Sequence, residues 1–295
     1  MKKREANTIQ DYAQPILQGI LLGGLYAVIG VGMSMIFGIM RLTNLAHGDL
    51  MILASYSSFV AITLLGIHPL ISLVIVVPLM FVVGFVVQNY LLNRVLGKGM
   101  EPPLLVTFGL SIILQNALLW RFTHDGKTLT SELATMSIPV TDYLSIPVIY
   151  LLDFVIGALI ILGLSQFFQR TYLGRAIRAA SDDEEVAKLM GISTRRIYGY
   201  AMGIALMTAA VAGVLVGMTF TFYPETGTQY LIIAFGVVVI GGMGSMVGTL
   251  VAGIILGLAQ LIGAQIFGTG IQLLAGYLIL LFVLAVRPQG IFARA

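Results

Sequence analysis

The chain has 295 residues, of which 58% are hydrophobic and only 10% are charged, and its formal net charge is +3. An ordinary soluble domain is about 25% charged, so this composition excludes a soluble globular protein. The small positive balance, with no stripe of Lys and Arg beside stacking aromatic residues, argues against nucleic-acid binding. Because there are no cysteines, disulfides and thiolate metal sites are excluded.

Apolar runs between charges predict membrane-spanning helices. In the clearest case, the 61 residues from Thr226 to Val286 contain no Lys, Arg, Asp, Glu or His. As a helix this run would be about 90 Å long, against a hydrocarbon core of about 30 Å, so it must cross the bilayer two or three times. Segments that are apolar on every side favour helices over barrel strands. The predicted spans are 15–39, 48–66, 69–92, 102–121, 147–168, 198–222, 231–244, 246–264 and 270–286.

The sequence therefore predicts an all-α polytopic membrane protein, with residues 1–295 in a single transmembrane domain of about eight to nine segments. The positive-inside rule places four regions in the cytoplasm: Arg41, Arg94 with Lys98, residues 170–197, and Arg287 with Arg294. It places three loops outside, near Ile67–Pro69, His124–Ser145 and Pro224–Gln229. The alternation requires three crossings in the chargeless tail and puts the amino terminus outside. Lys2, Lys3 and Arg4 favour the opposite side, so the position of the first residues stays open.

Two stretches rich in small residues, Asn44-Leu-Ala-His-Gly-Asp49 and Gly241-Gly-Met-Gly-Ser245, interrupt the apolar pattern. Broken helices at membrane depth are tolerated only where they are buried in protein or line a cavity. Paired breaks in a transporter point toward its pathway. We therefore expect roles in the pathway or in packing for Asn44, His47, Gly48, Asp49, Gly241, Gly242, Gly244 and Gly248.

Each break has a simpler interpretation that the sequence leaves open. Gly244-x-x-x-Gly248 is a pattern of small residues that lets helix backbones approach, so close packing is the simpler role of the second break. In the first break, His47 and Asp49 could anchor a span end at the membrane face near Arg41. No metal site is expected, because His47 has one acid beside it and no second His at helical spacing.

Ten charged side chains crowd into residues 170–196. Within this block, Ser181 or Asp182 can cap a helix, with Glu184 or Glu185 completing a capping box. Gly191 can close the helix in the left-handed conformation. A helix of about two and a half turns is too short to be stable alone and needs a partner surface. It presents a mixed face of charges and apolar side chains, the latter being Val186, Leu189, Met190 and Ile192.

A solvated helix between two spans is the simpler interpretation of this block, but its sequence has a specific likeness. The stretch from Gly174 to Ile192 resembles the coupling region of permease subunits of bacterial ABC importers, and above all the branched-chain (hydrophobic) amino acid permeases of the LivH type. Within it, Glu185-x-Ala187-x-x-x-Gly191-Ile192 is similar to the motif that such permeases present to their ATPases. The signatures of the same family resemble three further segments: 44–51, 241–248 and 287–292.

The resemblance implies a permease subunit in the bacterial inner membrane, with no cofactor of its own, that carries branched-chain or other small hydrophobic amino acids. It implies four kinds of partner: a second and different permease subunit, two ATP-binding cassette subunits, an external substrate-binding protein and membrane lipid. The residues implied in ATPase coupling are Asp182, Asp183, Glu184, Glu185, Ala187, Leu189, Met190, Gly191 and Ile192. Urea or short amides remain open as substrates within the same family.

Other classes of function are less well supported by the residues. A secondary transporter or channel remains open, but ion coupling needs ionisable groups inside the spans, where Asp49 and Asp153 are the near candidates. An intramembrane enzyme is disfavoured, because His-Glu-x-x-His and Gly-x-Ser-x-Gly are absent and no His follows His124. The chain also lacks a Gly-x-x-x-x-Gly-Lys-Ser/Thr loop, which places ATP hydrolysis on partner subunits.

Overall fold

The computed structural model describes the backbone of residues 2–99, 101–141, 144–287 and 289–292, and side chains within those ranges from Tyr12 onward. The helices are α1 (Lys2–Met40), α2 (His47–Leu65), α3 (Pro69–Val86), α4 (Glu101–Phe122), α5 (Val148–Arg170), α6 (Tyr172–Asp182), α7 (Glu184–Leu189), α8 (Thr194–Thr219), α9 (Gly227–Gly241), α10 (Met246–Phe267) and α11 (Gln272–Val286). Helix α3 continues through a π-helical turn, Val87–Leu91, and a 3₁₀ turn, Leu92–Arg94.

The predicted span count agrees with these helices. Within the described residues, eight helical segments are long and apolar enough to cross a membrane, and α9 is a shorter apolar helix of 15 residues. Three of these helices, α9, α10 and α11, lie in the chargeless tail, as the alternation of loops requires. The protein is thus an all-α polytopic membrane protein, as predicted.

Helix α1 lies at the centre of the bundle, where it packs against α5, α8, α9 and α10. Small residues make the closest of these contacts. A Cβ on Gly23 would lie 2.7 Å from the backbone nitrogen of Ile254, and a Cβ on Gly253 would lie 2.8 Å from that of Ala27. Helices α1 and α10 therefore pack backbone against backbone, which is the geometry that small residues at membrane interfaces permit.

The two ends of α1 contact opposite sides of the bundle. Near its beginning, the Gln14 side-chain amide donates to the Ser145 carbonyl oxygen at 2.7 Å, in the loop predicted to be external. Near its end, the Ser181 hydroxyl donates to the Gly38 carbonyl oxygen at 2.7 Å, in the charged block predicted to be cytoplasmic. The arrangement agrees with the alternation of loops. The side chains of Lys2, Lys3 and Arg4 lie outside the described residues.

The connection between α4 and α5 contains a small antiparallel sheet that the sequence did not predict. Strand β1 (Ser137–Thr141) pairs with β2 (Leu144–Pro147), with Ser137 opposite Pro147. The backbone of Lys127 in the same connection pairs with Phe222, just after α8. The sheet and this pairing fasten the connection to the ends of the helices.

Candidate functional site

The charged block folds as two helices, α6 and α7, whereas the sequence predicted one. The prediction that Ser181 or Asp182 caps the short helix is wrong. Asp183 caps α7, because its side-chain oxygen accepts from the backbone N–H groups of Glu185 and Val186 at 2.9 and 3.0 Å. Asp182 ends α6 instead, and the Ser181 hydroxyl is used on Gly38 of α1.

Helix α7 has one buried side and one exposed side. Ala187 is buried in a cluster with Ile197 and Ala201 of α8, and Ile192 packs against the same cluster. The opposite side presents apolar side chains to solvent, with Leu189 86% and Met190 77% exposed. The predicted acids lie exposed at the beginning of the helix or just before it: Asp182, Asp183, Glu184 and Glu185. The exposed side is therefore a mixed surface of the kind that protein partners cover.

A local ion pair reinforces α7. The Lys188 ammonium lies 2.7 Å from the Glu184 carboxylate, one helical turn away. The hydrogen bond and the charge of Lys188 lower the pKa of Glu184 against a smaller opposing effect of partial burial. Stability from this pair is present above the ordinary carboxyl pKa and is lost as the pH falls through the lowered value. Both side chains are about half exposed, so the contribution is small.

Removal of the Asp183 cap will loosen α7. We expect Asp183→Ala to destabilise the helix start by about 1 kcal/mol, because two backbone N–H groups lose their acceptor. Hydrogen exchange of the α7 amides in detergent should then rise about fivefold. Asp183→Asn retains an acceptor and is the matched control. Equal exchange in Asp183→Ala and the parent would contradict this assignment of the cap.

Gly191 closes α7 in the left-handed region, at φ +81°. Its N–H donates to the Lys188 carbonyl oxygen, and the Ile192 N–H reaches back to the Ala187 carbonyl oxygen, both at 3.0 Å. The bonds satisfy carbonyl groups that the end of the helix would leave free. The closure turns the chain directly into Ser193 and α8.

The charged block lies against the second glycine break. Gly38 of α1, which accepts the Ser181 hydrogen bond, packs so closely on Gly244 that a Cβ on Gly38 would lie 2.6 Å from the Gly244 Cα. A cavity of about 610 Å³ opens between α6, the ends of α1 and α5, and the loop that joins α9 to α10. The charged block therefore lies against the ends of α1 and α5 and against the turn between α9 and α10.

The second break is a tight turn between α9 and α10. Gly242 and Gly244 both have positive φ, +87° and +78°, which L side chains rarely adopt. A Cβ on Gly241 would lie 2.6 Å from the Gly248 carbonyl carbon, so the two helix ends touch through their backbones. Beyond α11, the Ile291 N–H donates to the Ile240 carbonyl oxygen at 2.9 Å and closes the turn from outside. Pro288, in the predicted tail motif, and Arg294 lie outside the described residues.

The first break falls at residues 41–46, slightly earlier than predicted. His47, Gly48 and Asp49 form the first turn of α2, where an acid suits the positive end of the helix dipole. Asn44 precedes them, and its side-chain oxygen accepts from the Ala46 N–H at 3.1 Å. Asn44, His47 and Asp49 are all buried.

This burial excludes the interpretation of His47 and Asp49 as anchors exposed at the membrane face. The His47 Nε2 atom lies 3.2 Å from the Ile29 carbonyl oxygen of α1, inside the bundle. Gly48 lets the beginning of α2 touch the beginning of α9, because a Cβ there would lie 2.9 Å from the Leu231 nitrogen. The break therefore carries polar side chains into the interior.

Asp49 is held by polar side chains of α4, which no motif in the sequence assigns to the site. The Ser111 hydroxyl donates to one carboxylate oxygen at 2.5 Å, and the Gln115 amide donates to the other at 2.9 Å. The same amide reaches the Thr228 hydroxyl at 3.3 Å, at the beginning of α9. The one sequence signal for this group is the spacing of Ser111 and Gln115, which places them on one face of a helix.

Comparisons with known proteins agree with this architecture. Residues 15–286 match the family described as "Branched-chain amino acid transport system / permease component". The chain belongs to this family. The high-affinity branched-chain amino acid transport system permease protein BraD of Pseudomonas aeruginosa is 34% identical and is matched over 97% of each chain. The high-affinity branched-chain amino acid transport system permease protein LivH of Escherichia coli is 30% identical and is matched over 96% of each chain.

In this branched-chain permease family member, three of the four motifs that carried the resemblance occupy distinct structural positions. The 44–51 segment begins α2 inside the bundle, and the 241–248 segment turns α9 into α10. The 174–192 segment forms most of α6 and all of α7. The last two segments meet at the same end of the molecule through Gly38 of α1, whereas the first lies deeper.

Proposed function

We propose that this chain is a permease subunit of an ABC importer for branched-chain amino acids, in the bacterial inner membrane. The observation that carries the proposal is the position of α7, which presents an exposed mixed surface at the end of a membrane bundle while its buried side packs on α8. The relatives BraD and LivH, which align over nearly the whole chain, are named as permease proteins of branched-chain amino acid transport systems. ATP hydrolysis would belong to partner subunits.

The partners are inferred from the same relatives. Escherichia coli LivH and LivM are both named as permease proteins of a high-affinity branched-chain amino acid transport system, and both are similar to this chain. We infer that this chain likewise pairs with a different permease. Two ATP-binding cassette subunits would bind the α7 surface and its counterpart, and an external binding protein would deliver the substrate. No cofactor or metal on this chain is needed for that role.

Coupling would pass through backbone contacts. A cleft on the ATPase would hold Leu189 and Met190 of α7, and closure of the ATPases would displace α7 together with α6. Helix α6 is tied to α1 by the bond between Ser181 and Gly38, and Gly38 packs on the Gly244 turn. Displacement of α6 would therefore shift the ends of α1, α9 and α10 together, since contacts between backbones have no side chain that can yield.

Dependence of uptake on the ATPases tests the proposal. We expect cells that express this chain with its neighbouring transporter genes to take up labelled leucine, and to lose that uptake when the nucleotide-binding lysine of the ATPases is replaced. Dissipation of the proton and sodium gradients at constant ATP should leave uptake intact. Uptake that persists without active ATPases and follows a gradient would instead support a secondary transporter that uses the buried acids Asp49 and Asp153.

The substrate is tested separately by competition. Unlabelled isoleucine and valine should compete with labelled leucine, and urea and acetamide should not. Competition by urea or acetamide alone, with ATP dependence retained, would keep the importer assignment and change its substrate to a small amide.

A further inference from the structure

A polar group reaches the surface of the bundle at the depth of the hydrocarbon core. Gln115 lies about 20 Å along α4 from Glu101, in a helix of about 33 Å, so it sits well inside a core of about 30 Å. Its amide bonds to the buried carboxylate of Asp49 on one side and to the exposed hydroxyl of Thr228 on the other. Ser111, one turn below Gln115, completes the group. We call these four residues the Asp49 cluster.

Most of the exposed surface of the membrane helices is apolar, although Asn116, beside Gln115 on α4, is exposed and donates to the Ile112 carbonyl oxygen at 2.8 Å. On α4 itself, Leu105, Phe108, Ile112 and Ile113 are exposed, and α3, α5 and α11 expose rows of Leu, Ile, Val and Phe. Such rows suit lipid or an apolar partner. Polar side chains inside a membrane face the interior of a bundle or a water-filled cavity, because lipid offers them no hydrogen bond. The exposed end of the Asp49 cluster, at the Thr228 hydroxyl, therefore does not face lipid.

No basic side chain among the described residues balances the charge of the cluster. The ion pairs among the described side chains do not include Asp49, so no Lys, Arg or His nitrogen there lies within 4.0 Å of its carboxylate. A buried carboxylate without a cationic partner is costly, and in membrane proteins such groups mark ion or substrate pathways. Asp49 receives hydrogen bonds from Ser111 and Gln115 and lies near the positive end of the α9 dipole. Together these supply less than one full positive charge.

We propose that the Asp49 cluster lines the solute pathway and that its carboxylate attracts the ammonium group of the amino acid in transit. The inference rests on the proposed function and adds to it the pathway-facing side of the chain, formed by α4 and the beginning of α9. An amino acid carries one ammonium and one carboxylate on an apolar side chain. The cluster offers a carboxylate to the ammonium end of that solute. Ile112, one turn from Gln115 on the same side of α4, offers an exposed apolar side chain, whereas Ile113 points away from that side.

The absence of cysteine from the parent chain permits a direct test. Gln115→Cys and Thr228→Cys would be made singly, with Ile113→Cys and Leu159→Cys as controls. Ile113, on the same helix two residues from Gln115, is 65% exposed, and Leu159 on α5 is 62% exposed. In membranes that contain the assembled transporter, each variant would be treated with the cationic thiol reagent methanethiosulfonate ethyltrimethylammonium and with its anionic ethylsulfonate counterpart.

We expect Gln115→Cys and Thr228→Cys to react and the two controls to remain unmodified, because only a thiol in contact with water ionises and reacts with these reagents. At Thr228→Cys the cationic reagent should react about tenfold faster than the anionic one, since a nearby carboxylate concentrates cations. Adding Asp49→Asn to Thr228→Cys should remove that preference while the thiol still reacts.

Two outcomes would overturn the inference. If neither cluster position reacts, or if both react no faster than Ile113→Cys, the α4 and α9 face is a dry contact and not the pathway. If the cationic preference survives Asp49→Asn, the carboxylate does not set the local field. If either result is found while leucine uptake still depends on the ATPases, the proposed function stands and only the pathway inference fails. The two proposals can therefore be tested independently.

Discussion

Gly253→Leu is expected to prevent assembly of a stable bundle, whereas Gly163→Leu is expected to leave it unchanged. A Cβ at Gly253 would lie 2.8 Å from the nitrogen and 3.2 Å from the Cα of Ala27, with the Gly23 carbonyl oxygen nearer still. These are backbone atoms of the central helix and cannot rotate away. Overpacking in a well-packed core costs about 1–3 kcal/mol, and a leucine against rigid backbone should exceed that range.

Gly163 is the matched control because it lies in a membrane helix, α5, and a Cβ added there would have no atom within 4 Å. Leucine there would extend the apolar outer face and favour the helix by up to about 1 kcal/mol. The measurement is the yield of monodisperse protein in mild detergent together with its thermal unfolding midpoint. Equal midpoints for Gly253→Leu and Gly163→Leu would show that α1 and α10 do not pack as described.

Gly191→Pro is expected to abolish leucine uptake while the protein is still inserted at the parental level. The residue has φ +81°, which the proline ring cannot adopt, and its N–H bond to the Lys188 carbonyl oxygen would be lost. The end of α7 would then open, and the surface of Leu189 and Met190 would lose its shape. Co-purification of the ATPase subunits should fall with it.

Gly191→Asn separates conformation from the presence of a side chain. Nothing lies within 4 Å of a Cβ at this position, and Asn tolerates the left-handed conformation better than other residues with side chains. We therefore expect it to retain most uptake and ATPase binding. Gly191→Ala should fall between the two, with a strain of about 1–2 kcal/mol. Normal uptake in Gly191→Pro would count strongly against a docking role for α7.

The membrane helices were predictable because charges bracket them. Helix α4, for example, extends from Glu101 to Phe122 against a prediction of 102–121, since Glu101 and Arg121 mark its ends in the sequence. The chargeless tail had no such marks. There the glycine-rich break at Gly241–Ser245 was the useful signal, and the structure turns the chain at this break, with Gly242 and Gly244 at positive φ.

Helix α6 was missed although its pattern was visible. Leu173, Ala176, Ile177 and Ala180 recur at helical spacing and face the core, while Arg175 and Arg178 face outward. The charges indicated a solvent-exposed segment. Most of the apolar residues between them are alanine, which is only a weak indicator of a buried helix face. The position of the cap was uncertain for a related reason. Ser181, Asp182 and Asp183 can all cap a helix, and only the path of the chain selects Asp183.

The partners of Asp49 could not be predicted from the sequence. Ser111 lies 62 residues away and Gln115 lies 66 residues away, and no local pattern pairs either with the first break. The contact between Gly227 and Asp49 was likewise not predictable from the sequence. Gly227 resembles the end of a loop in the sequence, yet in the fold a side chain there would collide with the Asp49 carboxylate. Such contacts between distant segments follow from the packing of whole helices.

The central position of α1 has a consequence for biogenesis. Tyr26 of α1 donates a hydrogen bond to Gln260 of α10, 234 residues later in the chain. At about 5–20 residues per second, the ribosome needs on the order of ten seconds or more to supply that partner. During this interval the nascent α1 presents its glycine face and the Tyr26 hydroxyl to whatever surrounds it. The insertion machinery must shelter this helix until translation is nearly finished, and chains that stall before α10 should be prominent substrates of membrane quality-control proteases.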